Sequence, residues 1–275
     1  MSYPAFIVDL EFVWGFQARI VGLSKTSPSF HYPPPTTFLG ALGHSIAREL
    51  GVGESSGGEI IARLGRKLLA LGVRPVNCVP LVYEDLSRIL AVKVTSGVLY
   101  PDPRNLAGSY DSPARGKTAM MSLDDMAPTL RFALIFKEDF MDFNGKSVKI
   151  GEDHFWKIHR IGSKESRVSV VNVERLEARL SQKKVSSTYY SFPVSKYVTP
   201  KEEIQSKWLY EVYIDPRSVS YTSRENPFLS YSGGRLLPYR IPIMVSRFDP
   251  PEYMLEVMAP VLYELEGEVI VGWSE

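Results

Sequence analysis

Three consecutive prolines, Pro33, Pro34 and Pro35, separate an alternating stretch from a helical one, and they limit what the start of this chain can become. Proline fixes φ at about −65° and has no N–H, so the triplet cannot lie inside a helix, but it can lead the chain into one. Upstream, Ala5–Val13 puts Phe6, Val8, Leu10 and Phe12 on one face and Asp9 and Glu11 on the other. That period of two predicts a half-buried strand. Downstream, Thr36 or Thr37 is placed to cap a helix in which Leu39, Leu42, Ile46 and Leu50 share one face, and Gly51 ends it.

Beyond this β–loop–α start, Ile60, Ile61, Leu64, Leu68 and Leu71 form an apolar stripe that predicts a second helix over Glu59–Leu71. Strands are expected near Val76–Tyr83, Arg88–Ser96 and Leu130–Phe136. Between the last two lies Gly97–Thr129, with four prolines, three glycines and little periodicity. So long an aperiodic stretch inside a domain signals a functional insertion or a flap. Phe155–Ile161 and Arg167–Val173 read as a hairpin around the turn Gly162–Ser166. Further strands are expected at Ser187–Val194, Trp208–Ile214, Arg240–Val245 and Glu268–Trp273. The sum is an α+β chain with a ferredoxin-like or RRM-like first half and a β-rich second half. No internal repeat is evident.

Composition excludes disorder, collagen and coiled coil: 44% of residues are hydrophobic and 23% charged. The formal net charge of +1 gives no global argument for a nucleic-acid or membrane partner. The distribution is uneven, however. Gly145–Lys201 holds 12 Lys and Arg against 5 Asp and Glu, a local net of +7, whereas Asp249–Glu275 holds 7 acidic residues and no basic one. A basic middle of this kind is either a solvated surface or an anion-binding face. The single cysteine, Cys78, lies in an apolar run and is expected in the core; alone it closes no disulfide within the chain. The first residues lack the pattern of a signal peptide, and no apolar run reaches the roughly 18 residues of a membrane span, so a cytoplasmic location is expected.

Motifs with a chemical mechanism are few. Gly116-Lys117-Thr118 looks like the end of a phosphate loop, but Asp111 stands where that loop needs glycine. No nucleophile elbow or zinc-protease motif is present, and His154 and His159, five apart on an expected strand, would face opposite ways, so no metal or other cofactor is expected. Two basic constellations stand out. The run from His159 to Arg167 combines Arg160, Lys164 and Arg167 with Gly162 and Ser163, a turn suited to phosphate and sugar contacts. The first loop combines Arg19 and Lys25 with Phe16, Phe30 and Tyr32, rings on which bases can stack while cations follow the backbone. Arg104, Arg115 and Lys117 add charge to the long insertion. A metal-independent ribonuclease would need a general base such as His31.

Together, Trp14-Gly15-Phe16 and the segment Tyr32-Pro33-Pro34-Pro35-Thr36-Thr37-Phe38-Leu39-Gly40-Ala41-Leu42 resemble the Cas-five family of CRISPR proteins in the RAMP superfamily, and Arg160–Ser166 resembles that family's later glycine-containing turn. The archaeal subtype I-A form is the nearest in pattern. The resemblance implies an RRM-like domain over residues 1–140 with a hairpin thumb at 97–129, and a smaller β-rich region over 141–275. It implies a non-catalytic Cascade subunit that grips the 5′ handle of the guide RNA beside a backbone RAMP subunit and a large subunit. Expected RNA contacts are Arg19, Lys25, Tyr32, Arg104, Arg115, Lys117, Arg160, Gly162, Ser163, Lys164 and Arg167. One branch of the family cuts RNA, and an endoribonuclease using His31, Tyr32 and Lys164 is the alternative expectation.

Overall fold

In the computed structural model, residues 2–18, 28–86, 93–95, 98–100, 114–200, 207–218 and 236–273 are described. The chain runs through β1 (Ser2–Phe12), β2 (Gly15–Phe16), α1 (Pro35–Leu50), α2 (Gly57–Lys67), β3 (Leu68–Pro75) and β4 (Cys78–Leu86). A short hairpin follows, β5 (Lys93–Thr95) and β6 (Val98–Tyr100), then β7 (Ala114–Ser122), β8 (Thr129–Phe136), β9 (Phe140–Phe143) and β10 (Lys146–Lys149). Helix α3 (Glu152–Trp156) precedes the long β11 (Val168–Leu180). The regular structure described in the last third is all strand: β12 (Val185–Thr188), β13 (Phe192–Pro193), β14 (Val198–Pro200), β15 (Trp208–Ile214), β16 (Leu236–Pro242), β17 (Tyr253–Val257), β18 (Leu262–Leu265) and β19 (Glu268–Val271). The architecture is α+β and strand-rich.

Six strands form the central sheet in the order β19-β18-β11-β1-β8-β3, and every neighbouring pair is antiparallel. Phe6, Val8, Leu10 and Phe12 of β1 face the helical layer, where Phe38, Leu39, Leu42 and Ile46 of α1 meet Ile60 and Leu64 of α2. The other face of β1 is covered as well, which the half-buried expectation missed. Ala5 and Ile7 pack there with Ala70, Ala133 and Ala178, and these small side chains admit the rings of Tyr190 and Tyr263. Asp9, expected toward solvent, is 7% exposed and is matched by Arg131. Strands β11, β18 and β19 complete the sheet that β1 begins, so the boundary expected at residues 140/141 does not divide two sheets.

Local chemistry moves several expected boundaries. Helix α1 starts at Pro35 on Pro34, with no side-chain cap from Thr36 or Thr37; Gly51 ends it in the left-handed region at φ 67°, as expected. Helix α2 stops at Lys67, because Leu68–Leu71 are taken by β3, which pairs with β8. The stretch expected as a strand over Phe155–Ile161 is instead the end of α3 and a turn, since the buried Phe155, Ile158 and Ile161 are spaced for one face of a turning backbone. Gly97–Thr129 is not aperiodic throughout. It contains β7, which pairs along its length with β4 and near its middle with β2.

Candidate nucleic-acid interface

The glycine turn between α3 and β11 is a small, fixed structure. The N–H of Ile161 donates to the Ser166 carbonyl at 3.0 Å, and that of Ser166 to the Ser163 carbonyl at 3.0 Å. It is pinned to the segment after β1 from both sides. Gln17 N–H donates to the buried Oγ of Ser166 at 3.0 Å, the N–H of Ser163 donates to the Gln17 carbonyl at 3.2 Å, and the Trp14 indole donates to the Glu165 carbonyl at 2.9 Å. Gly162 has φ +95°, and a Cβ there would meet the Gln17 carbonyl oxygen at 2.6 Å. Glycine is required on both counts. Trp14-Gly15-Phe16 and the later turn, two motifs about 150 residues apart, thus build one site.

The pinned turn displays its cations. Arg160 and Arg167 oppose each other across an isolated antiparallel bridge, and both are exposed. Neither makes an ion pair with a described residue. Lys164 extends from the tip with 83% of its side chain exposed, 3.7 Å from Glu165. Like charges placed opposite across a strand pair repel. The one carboxylate of the turn, Glu165, lies beside Lys164 and forms no ion pair with either arginine, so an external anion placed between the arginines would relieve that repulsion. Ser163 serves the turn itself, its Oγ lying 3.0 Å from that of Ser166.

The first loop turns out differently. Phe16, Phe30 and Tyr32 belong to the core, with Tyr32 only 1% exposed and its hydroxyl donating to the Pro242 carbonyl at 2.7 Å. No base can stack on these rings, which corrects the expectation for Tyr32. Burial pushes the Tyr32 phenol far above its ordinary pKa, reinforced by the nearby Cys78 and Glu211. His31 is held by Glu211, whose Oε1 accepts from the backbone N–H at 2.8 Å and lies 2.8 Å from Nδ1. His31 and Tyr32 are therefore anchored to β15 and β16, and the turn that carries Lys164 is anchored to the segment after β1. Arg19, Lys25 and Arg104 lie outside the described residues, as does the side chain of Arg115. Lys117 stands on β7 opposite Tyr83 of β4. Cys78 is buried as expected, and burial pushes its thiol up to about 12.

Sequence reading missed a cavity of about 260 Å³ between α1 and the turn, walled by His44 on one side and His159 and Arg160 on the other. Its one available signal was the small and polar face of α1, at Thr37, Gly40, Ala41 and His44, spaced i, i+3, i+4, i+7. Sequence reading also missed a cluster near the end of α1, where ligand atoms of Glu49, Asp153 and His154 come within 4.8 Å of one another. A cation already stands there, because the Lys157 ammonium lies 2.9 Å from Asp153 and 3.7 Å from Glu49. His154 is buried, and its Nδ1 accepts from the Gly151 N–H at 3.1 Å. Its Nε2 sits 3.0 Å from Glu49 without hydrogen-bond alignment.

A strand-rich α+β chain with a rigid basic turn is the class these observations define. No family model matches it. It is 26% identical over 96% of its length to CRISPR-associated protein Cas5 3 of Saccharolobus solfataricus, and 27% identical over 96% to CRISPR system aCascade subunit Cas5 1 of the same organism; 97% of each relative is covered. A solved structure, that of a CRISPR protein from Archaeoglobus fulgidus, shares 43% identity, covers 98% of this chain and 100% of its own, and superposes with a TM-score of 0.70. The chain belongs to the CRISPR-associated proteins, and its relatives with a finer name are called Cas5. No described helix is long and apolar enough to cross a membrane.

Proposed function

We propose that this chain is the Cas5-type subunit of a Cascade interference complex of the archaeal I-A kind, and that it binds the 5′ handle of the guide RNA without cutting it. The observation that carries this reading is the opposed pair Arg160 and Arg167 on a turn held rigid by Trp14, Gln17 and Ser166. One relative's name as an aCascade subunit supports the assembly. Guide pairing reads the target in such complexes, while protein holds shape and backbone.

The strand order β11-β1-β8-β3, with α1 following β1 and α3 preceding β11, supports a ferredoxin-like, RRM-like unit. In this reading the thumb is the insertion at 97–129, whose described strand β7 pairs with β4 outside it, and the smaller β-rich region is drawn from residues 141–275. Leu81, Tyr83 and Met121 share one face of the β4–β7 pair and are 40–51% exposed, a surface suited to packing on the neighbouring backbone subunit where this chain caps the filament. The large subunit is the other expected neighbour, and the location is cytoplasmic.

The test mixes purified protein with labelled CRISPR repeat RNA in EDTA and scores a gel for shift and cleavage. Saturable binding without products is expected. Arg160→Ala with Lys164→Ala should weaken it and flatten its salt dependence, the slope of log affinity against log salt falling by about 0.7 for each phosphate no longer neutralised. Unchanged affinity and slope in the double variant would sink the assignment of the turn, and discrete cleavage products would sink the non-catalytic assignment.

A further inference from the structure

We infer that the cavity between α1 and the glycine turn seats one sugar-phosphate unit of the bound RNA, an assignment that rests on the RNA-binding reading above. One wall is the small and polar face of α1, where Gly40 and Ala41 leave room between Thr37 and His44. The opposite wall comes from the segment that leads into the turn, with Lys157, His159, Arg160 and Gly162. The polar groups on these walls can donate hydrogen bonds: a hydroxyl, two imidazoles, a guanidinium and the Lys157 ammonium, of which one donor is already given to Asp153. None of the lining residues is acidic. That donor set matches an oxyanion and an adjoining hydroxyl.

Geometry concentrates the donors. The rings of His44 and His159 lie 6.2 Å apart, centroid to centroid, at 65°, close enough for both to face one tetrahedral anion. Arg160, repelled by Arg167 across the bridge and without a described ion-pair partner, supplies a charge that a phosphate would offset. At about 260 Å³ the cavity is below the roughly 300–1,000 Å³ of a drug-sized ligand site, which limits the occupant to a unit or so of the chain. The apolar Ile158, 4% exposed, closes the floor.

The experiment follows the side-chain proton resonances of the four histidines in the full chain while a uridine trinucleotide or inorganic phosphate is added. The trinucleotide should move His44 and His159 and leave His31 and the buried His154 in place. In parallel, Ala41→Glu, which puts a carboxylate among the donors, should weaken repeat-RNA binding at least about tenfold, while the uncharged Ala41→Gln should cost less than about threefold. Unmoved His44 and His159 at saturating trinucleotide would overturn the inference. A response to inorganic phosphate alone would also overturn it, leaving a free-anion site. Tight repeat-RNA binding that Ala41→Glu does not disturb would remove the cavity and leave the RNA-binding reading standing. No binding of repeat RNA by the parent protein would remove both.

Discussion

The central sheet and the glycine turn each set an arginine directly opposite another charged residue across antiparallel backbone, and they resolve it in opposite ways. In the central sheet Arg131 faces Asp9 of β1 and grips it with both ends of its guanidinium, at 2.7 and 2.8 Å. Arg131 also faces Arg74 of β3, yet that like pair is neutralised: Glu268 lies 2.7 Å from Arg74, whose guanidinium also stacks over the Tyr190 ring. In the glycine turn Arg160 faces Arg167, and no described carboxylate pairs with either. The placement is the same and the chemistry is not. Charges answered inside the fold hold it together, and charges left unanswered on a rigid surface are available to a partner.

The comparison breaks most visibly at the sheet. Arg131→Ala strands the Asp9 carboxylate, 7% exposed, without its partner, and should cost about 3 kcal/mol, the lower end for a broken buried pair because part of Arg131 reaches water. A denaturant melt would measure it; a loss under about 1 kcal/mol would mean that water or Asn172, whose amide lies 3.5 Å from Asp9, takes over. Next in size is Ser166→Val, which removes the acceptor of the Gln17 N–H and should cost about 1–2 kcal/mol. Amide exchange should quicken at Gln17 and Ser163 before it quickens in β1. Uniform change across both regions would show that the turn is not a separate local unit.

These two regions were not equally legible. The triple proline, the α1 apolar face and Gly51 are local signals, and they placed the β–α start. The burial of Asp9 was not legible, because period-two alternation says only that two faces differ, while the second face is filled by Ala178 and Tyr263 from other strands of the sheet and by Tyr190 outside it, all far along the chain. The end of α2 was hidden for a related reason. Leu68 and Leu71 continue its helical stripe, and only pairing with β8 claims them for a strand. At the site, the cations of the turn were readable from their density, and so was the need for Gly162. The core positions of Phe30 and Tyr32 were not, since an aromatic beside a basic residue reads alike whether the ring faces water or Tyr213. The cavity was half visible, as a small and polar face of α1; its other wall lies more than 100 residues later.

The smallest effects on stability should come from the turn's arginines, and they sharpen the contrast most. Arg160→Ala with Arg167→Ala removes a repulsion between two exposed groups, so stability should hold within about 0.5 kcal/mol, on the favourable side. Affinity for repeat RNA should fall at the same time, and its salt slope should drop by about 1.4 as two phosphates go without their cations. Arg160→Glu goes further, because it recreates at the turn the arrangement that Asp9 and Arg131 have in the sheet. A new pair with Arg167 should stabilise by a few tenths of a kcal/mol, since both groups stay in water. RNA binding should then fall below that of the double alanine variant, because one cation is converted to an anion and the other is occupied. If Arg160→Glu instead left RNA affinity at the parent level, the opposed arginines would be ordinary surface charge, and the difference between the two regions would be one of burial alone.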